Sequence, residues 1–186
     1  LLAIFVLAGC ASTTIRTASF DTTYKGGPFS HTVVVGVGGE ESDRRVFEDI
    51  FAEKLRAAGV DGVAGYTVMT DEARKDDLAF VKAVEMPGVD SVLIVRLLGV
   101  DTGTQVETSM VPGPMSWRAD AGFYGPTWFP TTQVSHYESA RVESNFYETK
   151  THRLIWSATS DTLNPTTAAK ETPAFAALII KQLRAR

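Results

Sequence analysis

The sequence predicts an α/β fold, α+β in its second half, on three observations. β-branched apolar runs alternate with stretches of helical period as far as residue 98. Residues 92–98 are almost continuously apolar, as a strand buried on both faces is. From Val134 the period changes to two, and the chain then closes on a helix. The order that results is βαβαβ–ββα, a single domain with a mixed sheet and helices packed on it.

Each element has a local reason. HTVVVGV at His31–Val37 is a β-branched run closed by glycines, the composition of a buried strand. In the helix that follows, Ser42 suits the N-cap, and Val46, Phe47, Ile50, Phe51, Leu55 and Ala58 recur at helical spacing. Arg44, Glu48, Asp49, Glu53 and Arg56 fill its other face, and Gly59 suits the position just past its end. VAGYTVM at 63–69 reads as a second strand. A second helix over 77–84 places Leu78, Val81 and Val84 on one stripe before Pro87 and Gly88 stop it. DSVLIVRLLGVDT is the long third strand.

In the second half, Val134, Ala140, Val142 and Phe146 alternate with Ser139, Arg141, Glu143 and Asn145, which marks a long strand with one wet face. THR is a turn, and LIWSATSD returns as the other arm of a hairpin. After NPTT the stretch 168–183 is the closing helix, with Phe175, Leu178, Ile179 and Leu183 inward. Lys181 and Arg184 lie in its last turn, where cations suit the helix dipole. Between the halves, residues 110–133 (MVPGPMSWRADAGFYGPTWFPTTQ) are dense in Gly, Pro and aromatics and read as a loop. Its rings, Trp117, Phe123, Tyr124, Trp128 and Phe129, set it apart from a disordered linker. Two readings stand: a flap over the domain's own sheet edge, or a partner-binding surface, since Trp and Tyr dominate interface hot spots.

Composition narrows the chemistry. A formal net charge of -4 and a pI near 5.4 leave no basic footprint for nucleic acid. GVGGEES after the first strand has the glycines of a phosphate loop but no GKS or GKT, and Glu40, Glu41 and Asp43 would repel a phosphate, so no nucleotide is expected. His31, His136 and His152 form no HxH or HExxH pair, and no metal or other cofactor is expected. Ser157 and Ser160 lack a nucleophile elbow, and no catalytic constellation emerges. A hydrolase would have to draw on the His136/Glu138 and His152/Asp161 region.

The first nine residues, LLAIFVLAG, are uncharged and well short of the ~20 that span a bilayer as a helix. They read as part of a signal peptide. Leu7-Ala8-Gly9-Cys10 resembles the lipobox of bacterial lipoproteins at all four positions. The resemblance implies that the Cys10 thiol accepts a diacylglyceryl group, that cleavage precedes it, and that the freed amine is acylated. Two or more acyl chains, each contributing about 0.8 kcal/mol per buried CH₂, anchor a protein stably. With one cysteine there is no internal disulfide, and no cation cluster or nearby His activates a catalytic thiol. Ala11 in place of an aspartate implies the outer membrane, facing the periplasm. Residues 10–30, rich in Ser, Thr and Gly, then read as the lipidated cysteine and a flexible tether, with the domain over 31–186.

FAEKLRAAGV, GVDSVLIVRLLGV and YETKTHRLIWSATSDT, in this order behind a lipobox, resemble small bacterial envelope lipoproteins with a domain like the N-terminal domain of TolB. The penicillin-binding-protein activator and the curli secretion lipoprotein belong to that circle. The resemblance covers roughly residues 32 to 184 at the level of the fold. It implies a non-enzymatic, lipid-anchored binding or accessory factor with an envelope protein as partner. A subunit of an oligomeric secretion assembly is the related alternative.

Overall fold

The computed structural model describes residues 13–118 and 123–185, with side chains outside 112–128. The element order is β1 (Thr13–Phe20), β2 (His31–Val37), α1 (Glu41–Ala57), β3 (Asp61–Ala64), two 3₁₀ turns (Gly65–Thr67 and Ala73–Lys75), α2 (Asp77–Val84), β4 (Ser91–Arg118), β5 (Phe123–Glu148), β6 (Arg153–Leu163) and α3 (Ala168–Arg184). The α/β class is as predicted: a six-stranded mixed sheet ordered β1-β6-β5-β4-β2-β3, with three α-helices. The chain forms two compact units, one built from the sheet and helices up to Asp101 and from Ser139 onward, the other from Thr102–Glu138.

In the first unit β2 runs parallel to both β3 and β4, while β6 is antiparallel to β5 and to β1. Period two sorts the side chains. Val34, Leu93, Val95, Phe146, Trp156 and Ala158 turn to the face covered by α1 and α3. Val33, Val35 and Val92 turn to the opposite face, where Val84 of α2 and Met69 lie. Between the helices, the Phe175 ring sits 6.1 Å from those of Phe47 and Phe51.

Several elements depart from expectation. The tether expected through Ser30 is corrected: Thr13–Phe20 pairs along β6 from Thr13↔Thr162 to Phe20↔Trp156. Phe20 lies 6.1 Å from Trp156, and Phe29 sits edge-on to Phe146 at 4.7 Å, so this stretch carries core rings that a leash has no use for. Ser42 is not the N-cap; α1 begins at Glu41 and is supported by Glu41 and Asp43 in its first turn. Gly59 does stand where expected, at φ +84, with Val60 N–H on Leu55 O and Gly59 N–H on Arg56 O, the paired bonds of a Schellman end. The second strand stops at Ala64 and turns into a 3₁₀ segment. In α2, Leu78 points outward at 77% exposure and Phe80 and Ala83 pack inward with Val84. In α3, Ile180 rather than Leu178 is buried.

The far end of β1 is clasped. Asp21 accepts from the Arg153 guanidinium and from Thr23, and these bonds lower its carboxyl from 3.8 to about 2. Its ionised form therefore favours the folded state above pH 4, and the contribution fades as pH falls from 4 to 2. The urea midpoint of wild type should exceed that of Asp21→Asn at pH 5, and the gap should shrink to a minor fraction by pH 2.5. A gap of equal size at both pH values would exclude the clasp as its cause.

Candidate functional site

The second unit is a two-stranded ribbon. Thr104 Oγ1 meets His136 Nδ1 at 3.2 Å, and Thr108 Oγ1 meets Thr132 Oγ1 at 3.4 Å, contacts that run in opposite chain directions as an antiparallel pair requires. The aromatic loop expected at 110–133 is thus corrected to the distal part of a hairpin, strand through Arg118 and again from Phe123. Its four prolines, Pro112, Pro114, Pro126 and Pro130, all share one parity. Proline cannot donate to a ladder, so this parity is the one whose N–H turns away from the partner strand.

The same parity sorts the side chains. On one face lie Thr104, Val106, Thr108 and Met110 of β4 with Thr132 and Val134 of β5; on the other lie Gln105, Glu107 and Val111 of β4 with Phe129, Gln133, Ser135 and Tyr137 of β5. Val106, Met110 and Val134 are 61%, 58% and 55% exposed. The pairing of β4 with β2 ends at Arg96 and that of β5 with β6 at Ser139, so among the described residues no third strand pairs with either outer edge of the ribbon. A two-stranded ribbon with exposed apolar side chains on both faces and no described partner along its outer edges is a template for pairing with another chain. Of the expected contact residues, Phe129 is 48% exposed on β5, and the side chains of Trp117, Phe123, Tyr124 and Trp128 lie outside the described residues. So does Cys10.

In the first unit, β2 and β6 end at the same level, beside the stretch of β4 that follows its pairing with β2, and α1 and α3 begin there. Gly38 and Gly39, at φ +90 and +73, turn the chain from β2 into α1, so GVGGEES is turn chemistry. Beside them opens a groove of about 410 Å³, walled by Phe47, Val95, Leu97, Val142 and Phe175, with Thr162 at its floor.

Glu48 was expected on the wet face of α1; the structure corrects this. It is fully buried, while Val46 is exposed. Its carboxylate accepts from Gly36 N–H at 2.8 Å and Tyr66 N–H at 2.7 Å, and the Arg74 guanidinium grips both oxygens at 2.8 and 3.0 Å. Arg74 also donates to Gly36 O at 3.1 Å, and Arg44 pairs with Asp71. This explains why the second strand bends after Ala64: the Tyr66 N–H is drawn to Glu48. Sequence reasoning missed the cluster, although Arg44, Glu48, Phe51 and Leu55 do keep helical spacing.

Of the residues a hydrolase would use, His152 and Asp161 lie within the first unit at opposite ends of β6 and are not gathered. His152, at the start of β6, meets Glu85 at 2.6 Å, whereas Asp161, near its end, meets Arg16 at 2.9 Å. In the ribbon His136 meets Thr104. Ser157 and Ser160 sit on β6 paired to Asn145 and Val142. Among the described residues no group of three or more His, Cys, Asp or Glu could hold a metal ion. No described helix is long and apolar enough to cross a membrane, which says nothing of strands.

No family model matches the chain, and no curated protein does. Among solved structures it is similar to the PelC dodecamer from Paraburkholderia phytofirmans, at 15% identity and a TM-score of 0.50, over 94% of this chain and 99% of that one. It is also similar to lipoprotein GNA1162 from Neisseria meningitidis, at 13% identity and a TM-score of 0.43, over 86% of this chain and 100% of that one. At such identities the likeness is one of fold.

Proposed function

We propose that this chain is a lipid-anchored, non-enzymatic protein of the bacterial cell envelope, held in the outer membrane by acylated Cys10 and facing the periplasm. It acts as a subunit or accessory factor of an envelope assembly, and the ribbon Thr102–Glu138 is its contact element. The observation that carries this is the ribbon's exposed face of Val106, Met110 and Val134 beside two edges that no described strand pairs. A face of this kind is stabilised by pairing and burial against another chain. The resemblance to TolB-like lipoprotein domains and the lipobox support the compartment. Self-assembly is the partner choice favoured here, because a dodecamer is built on a similar fold. Its edges are open from Thr102 to Met110 and blunted beyond by the prolines, which confines strand pairing to the ribbon's proximal half. The rings of Trp117, Phe123, Tyr124, Trp128 and Phe129 supply the distal contacts.

The test is the mass of the detergent-solubilised protein by light scattering. Wild type should run as a multi-subunit particle, and Val106→Lys with Val134→Lys should reduce it to a monomer with an unchanged urea midpoint. A wild-type monomer that recovers no envelope partner after crosslinking in intact cells, or a double variant that retains the assembly, would remove the ribbon as the contact.

A further inference from the structure

We infer that the side of the first unit where β2 and β6 terminate, and where β4 runs on past its pairing with β2, rests directly on the lipid surface. The inference depends on the proposed acylation of Cys10. It starts from the strand that replaced the expected tether. Thr13 is already paired with Thr162, their hydroxyls 2.9 Å apart, and Cys10 stands three residues earlier. At ~3.5 Å per residue the chain spans at most about 10 Å from the lipidated sulfur to the sheet. With the acyl chains in the bilayer, the Thr13 end of the sheet has no room to stand away from it.

The surface at that end is built for such a contact. Val37, Leu97, Leu98, Val100 and Leu163 are 37%, 41%, 49%, 50% and 43% exposed; Val37 and Leu163 are the last residues of β2 and β6, and the other three lie on β4 past Arg96, its last residue paired with β2. They account for most of the large exposed hydrophobic side chains in this unit. The apolar groove under Leu97 opens among them. Charge does not attract this end to lipid, because Glu40, Glu41 and Asp43 stand at the neighbouring start of α1. The contact is therefore apolar and insensitive to salt, its affinity coming from the anchor and the exposed aliphatic rim.

Acylation consumes the one thiol of the chain, so a single introduced cysteine labels uniquely. The lipidated protein, reconstituted in vesicles of phosphatidylethanolamine and phosphatidylglycerol, would carry a fluorophore at Leu163→Cys, Leu98→Cys or Leu154→Cys, with a quencher on the lipid. Leu154 is also exposed, but lies at the other end of β6, about 30 Å from Leu163 at ~3.3 Å per residue. Strong quenching at Leu163 and Leu98 with none at Leu154 is the expected result. Equal quenching at Leu154, or none at Leu163 and Leu98 on protein that floats with the vesicles, would overturn the orientation. Flotation itself reports the anchor: a wild-type chain that does not float, or a Cys10→Ser chain that floats equally, removes the acylation reading and the inference with it.

Discussion

Glu48→Ala is expected to lower the unfolding free energy by about 3–5 kcal/mol, a large share of the 5–15 that holds a domain together. Removal of the carboxylate leaves the Arg74 guanidinium, at 10% exposure, facing no counter-charge on that side. It also orphans the Gly36 and Tyr66 N–H groups, each a buried donor that costs about 1–3 kcal/mol unpaired. Glu48→Ala with Arg74→Ala should recover only part of the loss, because the two backbone donors stay unpaired. Urea unfolding followed by tryptophan fluorescence measures both variants. If Glu48→Ala cost less than about 1 kcal/mol, the cluster would not be organising the β2–α1 turn.

Trp156 gives the second large effect, and a contrast within one position. It is fully buried on β6, paired with Phe146 on one side and Phe20 on the other. Trp156→Ala should cost about 3–5 kcal/mol, the transfer loss plus the cavity. Its indole N–H, however, has no hydrogen-bond partner in the structure. Trp156→Phe keeps a ring in the core and leaves a smaller cavity, and should cost less than Trp156→Ala. Thermal unfolding of the two variants separates these terms; equal losses would mean that the N–H is held by an ordered water whose removal matters.

The parts of the fold that were legible in sequence are those where one periodicity acts alone. His31–Val37 and the start of β4 are uniformly β-branched or apolar, α2 has its breaker at Pro87, and the hairpin about His152 is bounded by alternating strands. Legibility failed where a residue's partner is remote. Strand β1 is polar and Thr-rich, and its strand character comes from β6, far along the chain, so composition alone described a tether. Glu48 looks like a surface charge until Arg74 is brought to it. In the ribbon, four prolines and several glycines mask a strand, because a proline whose N–H faces outward costs the ladder nothing. Of the proposed surfaces, the aromatic stretch was visible as composition, while the pairing that makes its approach a ribbon needed the register set by Thr104–His136 and Thr108–Thr132. The apolar rim at the sheet end had no sequence signal at all, since Val37, Leu97 and Leu163 converge only through strand pairing.

The Thr13–Thr162 pairing joins residues 149 positions apart. The first strand of the sheet must therefore wait for the last strand to be synthesised, and no N-terminal portion of the chain can close the sheet on its own. Contacts of such long range slow folding, because the loop must close before the pairing stabilises anything. Under the proposed envelope placement, that delay keeps the edge unzipped until the whole polypeptide has crossed the membrane.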